Sequence, residues 1–410
     1  MTQRREPVSI VCVFNDVEVR RDCLDRSIAT HLASAPDTEY LPVDNTDHAF
    51  SSAGAALNHG ARQAQHAVVV FVHQDVYLHS LVALEEAAGR LADDPSVGIL
   101  GAVGVAADGE VVGRLRDRVV MLGRPVSMPT TVDTLDEVLF MIARERVLAS
   151  PLSEHVDLSW HAYAAEYSLR ARAEGRRAVA LDLCLTHNSM TINLARLDEA
   201  HGAVGAMYAD QLPVQTTCGR IGEPLSDSVL RRLAGRNAWR RAWLRESRAA
   251  HAARRAVGST RVVLVDIRRE LDDLLDAAAA AGAPAAPPLL VLNAVAAGRP
   301  FGDDPEGTRL RRRSHDVEVA ALPLGGLRDR LRVLPDGASA LVTDIGTDDL
   351  ATLAADVAGR EHVVGYHGGF GYWVLLGPLV RSAPTRWASR RARPLGLPGL
   401  QAADACADRG

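Results

Sequence analysis

The sequence predicts an α/β protein whose first half carries a mostly parallel sheet covered by helices, followed by a second, smaller α/β domain. Three observations point there. Short runs of β-branched and apolar residues alternate with stretches of helical spacing through the first half, the pattern of repeated βα units. One such run, AVVVFVHQDVYL over residues 67–78, stops abruptly at His73-Gln74-Asp75, as a buried strand ending in a polar tip does. Near residue 225 the composition shifts, and strand and helix signals then resume.

The elements follow in chain order. Residues 8–14 are a short apolar strand, residues 17–33 a helix, and residues 39–43 a second strand ending at Asp44-Asn45. Ala/Leu spacing marks a helix over 51–65, and residues 67–72 are the third strand. A helix near 80–91 precedes strands at 97–105, 119–122 and 138–143. A helix over 161–174 leads through Gly175 to a strand at 178–183 and the polar tip Thr186-His187-Asn188. Beyond 225, strands are expected at 261–267, 289–295, 338–343 and 362–366, with helices over 268–281 and 347–358. This gives four segments: a first domain over 1–225, a basic helical connector over 226–260, an accessory α/β domain over 261–390, and a loose tail over 391–410.

Composition narrows the function class. The chain has 410 residues, a net charge of −5 and 24% charged residues, a soluble and globular profile with no general case for nucleic-acid binding. All 46 basic residues counted as Lys or Arg are Arg. Five cysteines form no C-x-x-C pair, which suits a reducing cytoplasmic setting. No signal-peptide pattern and no run of about eighteen apolar residues is present. Residues 229–255 hold nine Arg, one Glu and the pair Trp239/Trp243. That stretch suits either a peripheral contact with an anionic membrane face or an inter-domain helix with solvated Arg.

The motifs acquire meaning from their order. VSIVCVFND at Val8–Asp16, PVDN at Pro42–Asn45, ALNHGARQA at Ala56–Ala64 and the His73-Gln74-Asp75 tip together resemble the nucleotide-sugar half of family 2 glycosyltransferases with the GT-A fold. The later stretch Ser159–Ser189 resembles the acceptor-side helix and following His tip of a prokaryotic branch, one with a His-Gln-Asp variant of the Asp-x-Asp motif. The likeness covers residues 8–190 and none of the C-terminal half.

The resemblance implies a metal-dependent transfer of a sugar from a UDP-type donor to a hydroxyl acceptor, with inversion. A divalent cation, Mn²⁺ or Mg²⁺, would neutralise the departing diphosphate. Asp75 and His187 are its implied ligands, with His73 in the place of the first Asp of the motif. Donor contacts fall to Asn15, Asp44, Asn58, Gly60, His73 and Asp75, with Asp44 accepting from the nucleobase. Trp160 falls on the acceptor side, and Asp136, an acceptor candidate, and Glu137, just before the strand over 138–143, either bind acceptor hydroxyls or cap the strand entry. The position where relatives carry a catalytic Asp is Ala164, so Glu166 is expected as general base with His161 positioning the acceptor.

Ordinary structural roles compete with each of these. An Asp after a buried strand is commonly a turn or cap residue, an Asn on a helix a surface group, and a Gly a packing position. Two other function classes are open: a binding or scaffold protein that keeps the fold without turnover, and a nucleotidyltransferase, for which no Gly-rich, Lys-containing phosphate loop follows the first strand. The C-terminal domain is a candidate for acceptor recognition, homodimer formation or a second partner.

Overall fold

A computed structural model describes residues 4–189, 195–222, 262–280, 289–295, 308–313, 315–367 and 371–384. The expected Arg/Trp connector and the tail over 391–410 lie outside the described residues. The chain divides into two compact units: Met1–Arg118 with Leu122–Glu223, and Val119–Met121 with Pro224–Gly410. Both are α/β, as the alternation of signals predicts.

The first unit is built on a seven-stranded mixed sheet in the order Glu39–Asp44, Val8–Phe14, Val68–Val72, Leu139–Ala143, Val97–Gly101, Arg177–Ala180, Thr130–Val132. The first three strands are parallel. Leu139–Ala143 runs antiparallel to both neighbours, and the last strand is an antiparallel edge. Side chains alternate across the central strands and fill two cores. Val8, Ile10, Cys12, Val68, Val70 and Val72 face Leu24, Leu81 and Leu84 on one side. Val11, Val69, Phe71 and Phe140 face Ala56, Leu57, Tyr163 and Tyr167 on the other. Each large apolar side chain so buried contributes roughly 1.5–3 kcal/mol.

Because both faces are covered, the strands read as continuous apolar runs, and that makes their polar ends conspicuous. The expected strand over 97–105 is two strands, Val97–Gly101 and Gly104–Val105, the second in a separate three-stranded sheet. The first helical stretch, expected as one piece, is interrupted by a π-helical turn at Arg21–Asp25. A shorter layer carries the second tip: Leu185–His187 pairs antiparallel with Val76–Leu78 and parallel with Leu115–Asp117.

The second unit holds another seven-stranded sheet, ordered Val262–Leu264, His362–His367, Gly371–Leu376, Ala340–Ile345, Leu289–Ala294, His315–Leu322, Thr308–Arg312. Leu289–Ala294 is parallel to both of its neighbours, whereas Gly371–Leu376 is antiparallel to both of its own. Three helices bury one stripe each: Leu271, Leu274 and Leu275; Leu327 and Leu331; Leu350, Leu353 and Val357. Among the described helices none is long and apolar enough to cross a membrane.

Candidate active site

Strand Val68–Val72 is buried along its whole length and releases the chain into a tight turn. The His73 N–H donates to the Val138 carbonyl at 3.1 Å, and the Val76 N–H closes on the His73 carbonyl at 3.3 Å. Gln74, between the two candidate ligands, ties this tip to that of the first strand. Its Oε1 accepts from the Asn15 and Asp16 N–H groups at 3.1 and 3.0 Å, and its Nε2 donates to Asn15 Oδ1 at 2.8 Å. Asp16 in turn caps the next helix, accepting from Glu18 and Val19 N–H. Sequence reasoning gave Gln74 no role; its position between two polar residues at a strand tip was the only available signal.

The second tip arrives by strand pairing. His187 stands opposite Val76 in one ladder and opposite Asp117 in the other, and the Asn188 N–H donates to the Asp75 carbonyl at 2.8 Å. His187 Nε2 then lies 3.5 Å from Asp75 Oδ1, and its Nδ1 lies 3.8 Å from Asp117 Oδ1. The His73 and His187 rings are 5.8 Å apart between centroids, and His73 Nε2 is 3.0 Å from the Tyr163 hydroxyl. One ligand atom from each of His73, Asp75 and His187 lies within 4.8 Å of the others.

Electrostatics sort the three groups. Burial alone would raise the Asp75 carboxyl, but the His187 charge and hydrogen bond, with His73, hold it well below the usual carboxylate range. Burial lowers His187, yet Asp75, then Asp117 and Asp136, outweigh it and push the imidazole up to about 9. Burial dominates at His73 and lowers its imidazole, against the pull of Asp75. Two imidazoles and one carboxylate form a nitrogen-rich donor set that fits Mn²⁺ or Zn²⁺ better than Mg²⁺, which favours oxygen. A cation entering the site would have to displace the His187 proton.

His73 and Asp75 of the triad line a cavity of about 420 Å³. His73, Gln74, Asp75 and Asn15 supply polar lining, while Leu57, Phe71, Phe140 and Trp160 supply apolar walls. Trp160 is 38% exposed and stands between Ser159 and Ala162, whose φ values of 48° and 56° are left-handed. Non-glycine residues pay strain there, a feature that clusters at ligand clamps. Glu137 also lines the cavity and is half-buried. Burial, then the neighbouring Asp136, pushes its carboxyl up to about 8, against the opposing pull of the Tyr163 and Ala162 backbone.

Other expected site residues have different surroundings. Asp44 is exposed and accepts from the Thr46 N–H and hydroxyl, both at 2.8 Å; its neighbour Asn45 lines the cavity. Asn58 is buried, donating to the Leu152 carbonyl and Glu154 and accepting from the Leu152 N–H, so it fastens the 152–154 loop. Gly60 lets its helix close on the first strand, because a Cβ there would sit 2.4 Å from Val11 Cγ1. Asp136 accepts from the Val138 N–H and the Thr217 hydroxyl. His161 Nε2 lies 2.7 Å from the Ala195 carbonyl. Glu166 is 2% exposed and bonds to Arg170 through both oxygens and to the Tyr208 hydroxyl. Asp44, Asn58, Gly60, Asp136, His161 and Glu166 are not among the residues that line the cavity.

No protein-family model and no curated protein sequence matches this chain. Among solved structures it is similar to the mannosyltransferase PcManGT from Pyrobaculum calidifontis in complex with GDP-Man and Mn²⁺, at 16% identity and a TM-score of 0.35 over 48% of this chain and 61% of that one. It is also similar to GalNAc-T7 with UDP, GalNAc and Mn²⁺, at 14% identity and a TM-score of 0.33 over 45% and 44%. A third likeness is to S. aureus TarS, at 16% identity and a TM-score of 0.34 over 49% and 39%. The chain spans less than two thirds of each of these three proteins.

Proposed function

We propose that the protein transfers a sugar from a nucleoside-diphosphate donor, UDP-type by its motifs, to a hydroxyl acceptor by direct displacement with inversion. The observation that carries the reading is the meeting of His73, Asp75 and His187, of which His73 and Asp75 line a cavity shared with Trp160. Ligands of open α/β sheets bind at such strand tips. His73, Asp75 and His187 would hold a divalent cation, for which Mn²⁺ is the expected physiological choice. When bound, it supplies a positive charge against the diphosphate that leaves.

The chain's own residues do the positioning. Gln74 keeps the first and third strand tips together, so Asn15 and Asp75 present one continuous edge to a donor. Tyr163 orients the His73 ring, and Asp117 faces the other nitrogen of His187, the supporting contacts that fix ligand geometry. Trp160 offers an aromatic face on which a sugar ring packs.

Calorimetric titration of UDP and GDP, with Mn²⁺ and then with chelator, tests the reading. Tight binding that requires the metal supports it; equal affinity in chelator would remove it. A second reading, a binding protein without turnover, is favoured by Ala164 in the place of an acid and by Glu166 being fully engaged with Arg170 and Tyr208. Release of free sugar from any member of a nucleotide-sugar panel would exclude that alternative.

A further inference from the structure

We propose that Glu137 is the general base of this site; the inference rests on the glycosyl-transfer reading above. Displacement at a sugar carbon by a hydroxyl requires a group that takes the hydroxyl proton as the new bond forms. Two carboxylates line the cavity, Asp75 and Glu137. Asp75 faces the His187 imidazole at 3.5 Å and belongs to the cation-binding triad, which leaves it a weak proton acceptor. Glu137 has no ion pair among the described residues and shares the cavity with Trp160 and Tyr163.

Its placement is built from two sides. The residue immediately precedes the antiparallel strand Leu139–Ala143, held in register against the strand that ends at His73. The helix Tyr163–Ala173 starts at the same cavity: its N-cap residue Ala162 has no side-chain cap, and the backbone of Ala162 and Tyr163 favours the Glu137 carboxylate against burial. Glu137 therefore lines the cavity beside the first residue of that helix. Asp136, Tyr163 and Cys218 act on its charge and none of them is cationic, while His48, His73 and Asp75 line the same cavity. Those surroundings, with burial, hold the carboxyl near the pH at which it would work, the condition for efficient proton transfer.

The step balances as follows. The acceptor oxygen bonds to the anomeric carbon while its proton passes to a Glu137 oxygen. The bond from that carbon to the diphosphate oxygen breaks, and its electron pair leaves with the nucleoside diphosphate. Glu137 afterwards returns the proton to water.

The test uses the full chain, Mn²⁺ and a panel of UDP- and GDP-sugars, with water as acceptor and free sugar as product. Glu137→Gln keeps the size and one oxygen of the side chain, so UDP affinity in Mn²⁺ should stay within about two-fold of wild type. Sugar release should fall about 10²- to 10⁴-fold, and the acid limb of the kcat/KM pH profile should vanish. Glu137→Asp retains the carboxylate and should keep that limb at reduced rate, which separates chemistry from folding should the Gln variant fold poorly. Full rate with an unchanged profile in Glu137→Gln, loss of the limb in Glu137→Asp, or a wild type that binds UDP with Mn²⁺ yet releases no sugar would each overturn the assignment. Absence of any metal-supported nucleotide binding would instead overturn the glycosyl-transfer reading beneath it.

Discussion

Each unit of the protein brings a histidine and an aspartate together at the end of its sheet, and the two pairs behave differently. In the first unit His187 lies 3.5 Å from Asp75; in the second His367 lies 3.6 Å from Asp266. Asp266 is clamped by Arg268, whose Nε reaches one oxygen at 3.1 Å and whose terminal nitrogen reaches the other at 3.0 Å. A guanidinium cannot give up its proton near neutral pH, so that carboxylate stays engaged. Asp75 faces imidazoles, which can release a proton, and a second histidine completes three ligands beside a cavity. The lesson is that a strand-tip acid becomes a metal candidate through its partner's chemistry more than through its position.

The sharpest way to break this contrast is to remove each acid in turn. Asp75→Ala should weaken Mn²⁺-supported UDP binding by about 100-fold or more, the scale of an uncompensated loss of about 3 kcal/mol at a buried ionic site. Asp266→Ala should leave that affinity unchanged. Equal effects from the two substitutions, read by calorimetry, would erase the distinction.

Proton competition gives the next largest effect. The His187 imidazole is raised to about 9, so below that pH a metal must displace one proton. Apparent Mn²⁺ affinity should rise about ten-fold per pH unit up to about 9 and level off above it. A flat profile between pH 6 and 8 would show that His187 is not a ligand. Tyr163→Phe, which removes the hydroxyl 3.0 Å from His73, should cost about ten-fold in metal affinity through loss of ring orientation. Metal-supported binding that survives this change undiminished would show that His73 needs no such support.

The smallest effect on the site is expected from Glu166→Ala. Its carboxylate is held by Arg170 and Tyr208, so denaturant unfolding should register a loss of about 2 kcal/mol while UDP and Mn²⁺ binding hold. A weakened nucleotide affinity without a stability change would return Glu166 to the site.

What the sequence made legible followed from burial. Strands covered on both faces are plain apolar runs, so His73-Gln74-Asp75 and Thr186-His187-Asn188 stood out as their ends. Less visible were strands whose alternation is carried by charged residues. In Thr308–Arg312 the inward positions include Arg312, buried against Asp272 at 2.6 Å, so an Arg-rich stretch forms an edge strand. Gly371–Leu376 was hidden behind its glycine-rich approach. At the site, pairing across distant segments could not be read: nothing local in Glu137 announces that it shares a cavity with Trp160 and Tyr163. Asn58 and Gly60 illustrate the converse, since their polar and small character is spent on a loop and on a close helix–strand approach.

The most direct measurement is anomalous diffraction at the manganese edge from crystals soaked with UDP and Mn²⁺. The account predicts one strong peak at coordinating distance from His73, Asp75 and His187, with the diphosphate completing its shell. Density for UDP without that peak, or a peak beside Asp266 and His367 instead, would contradict it.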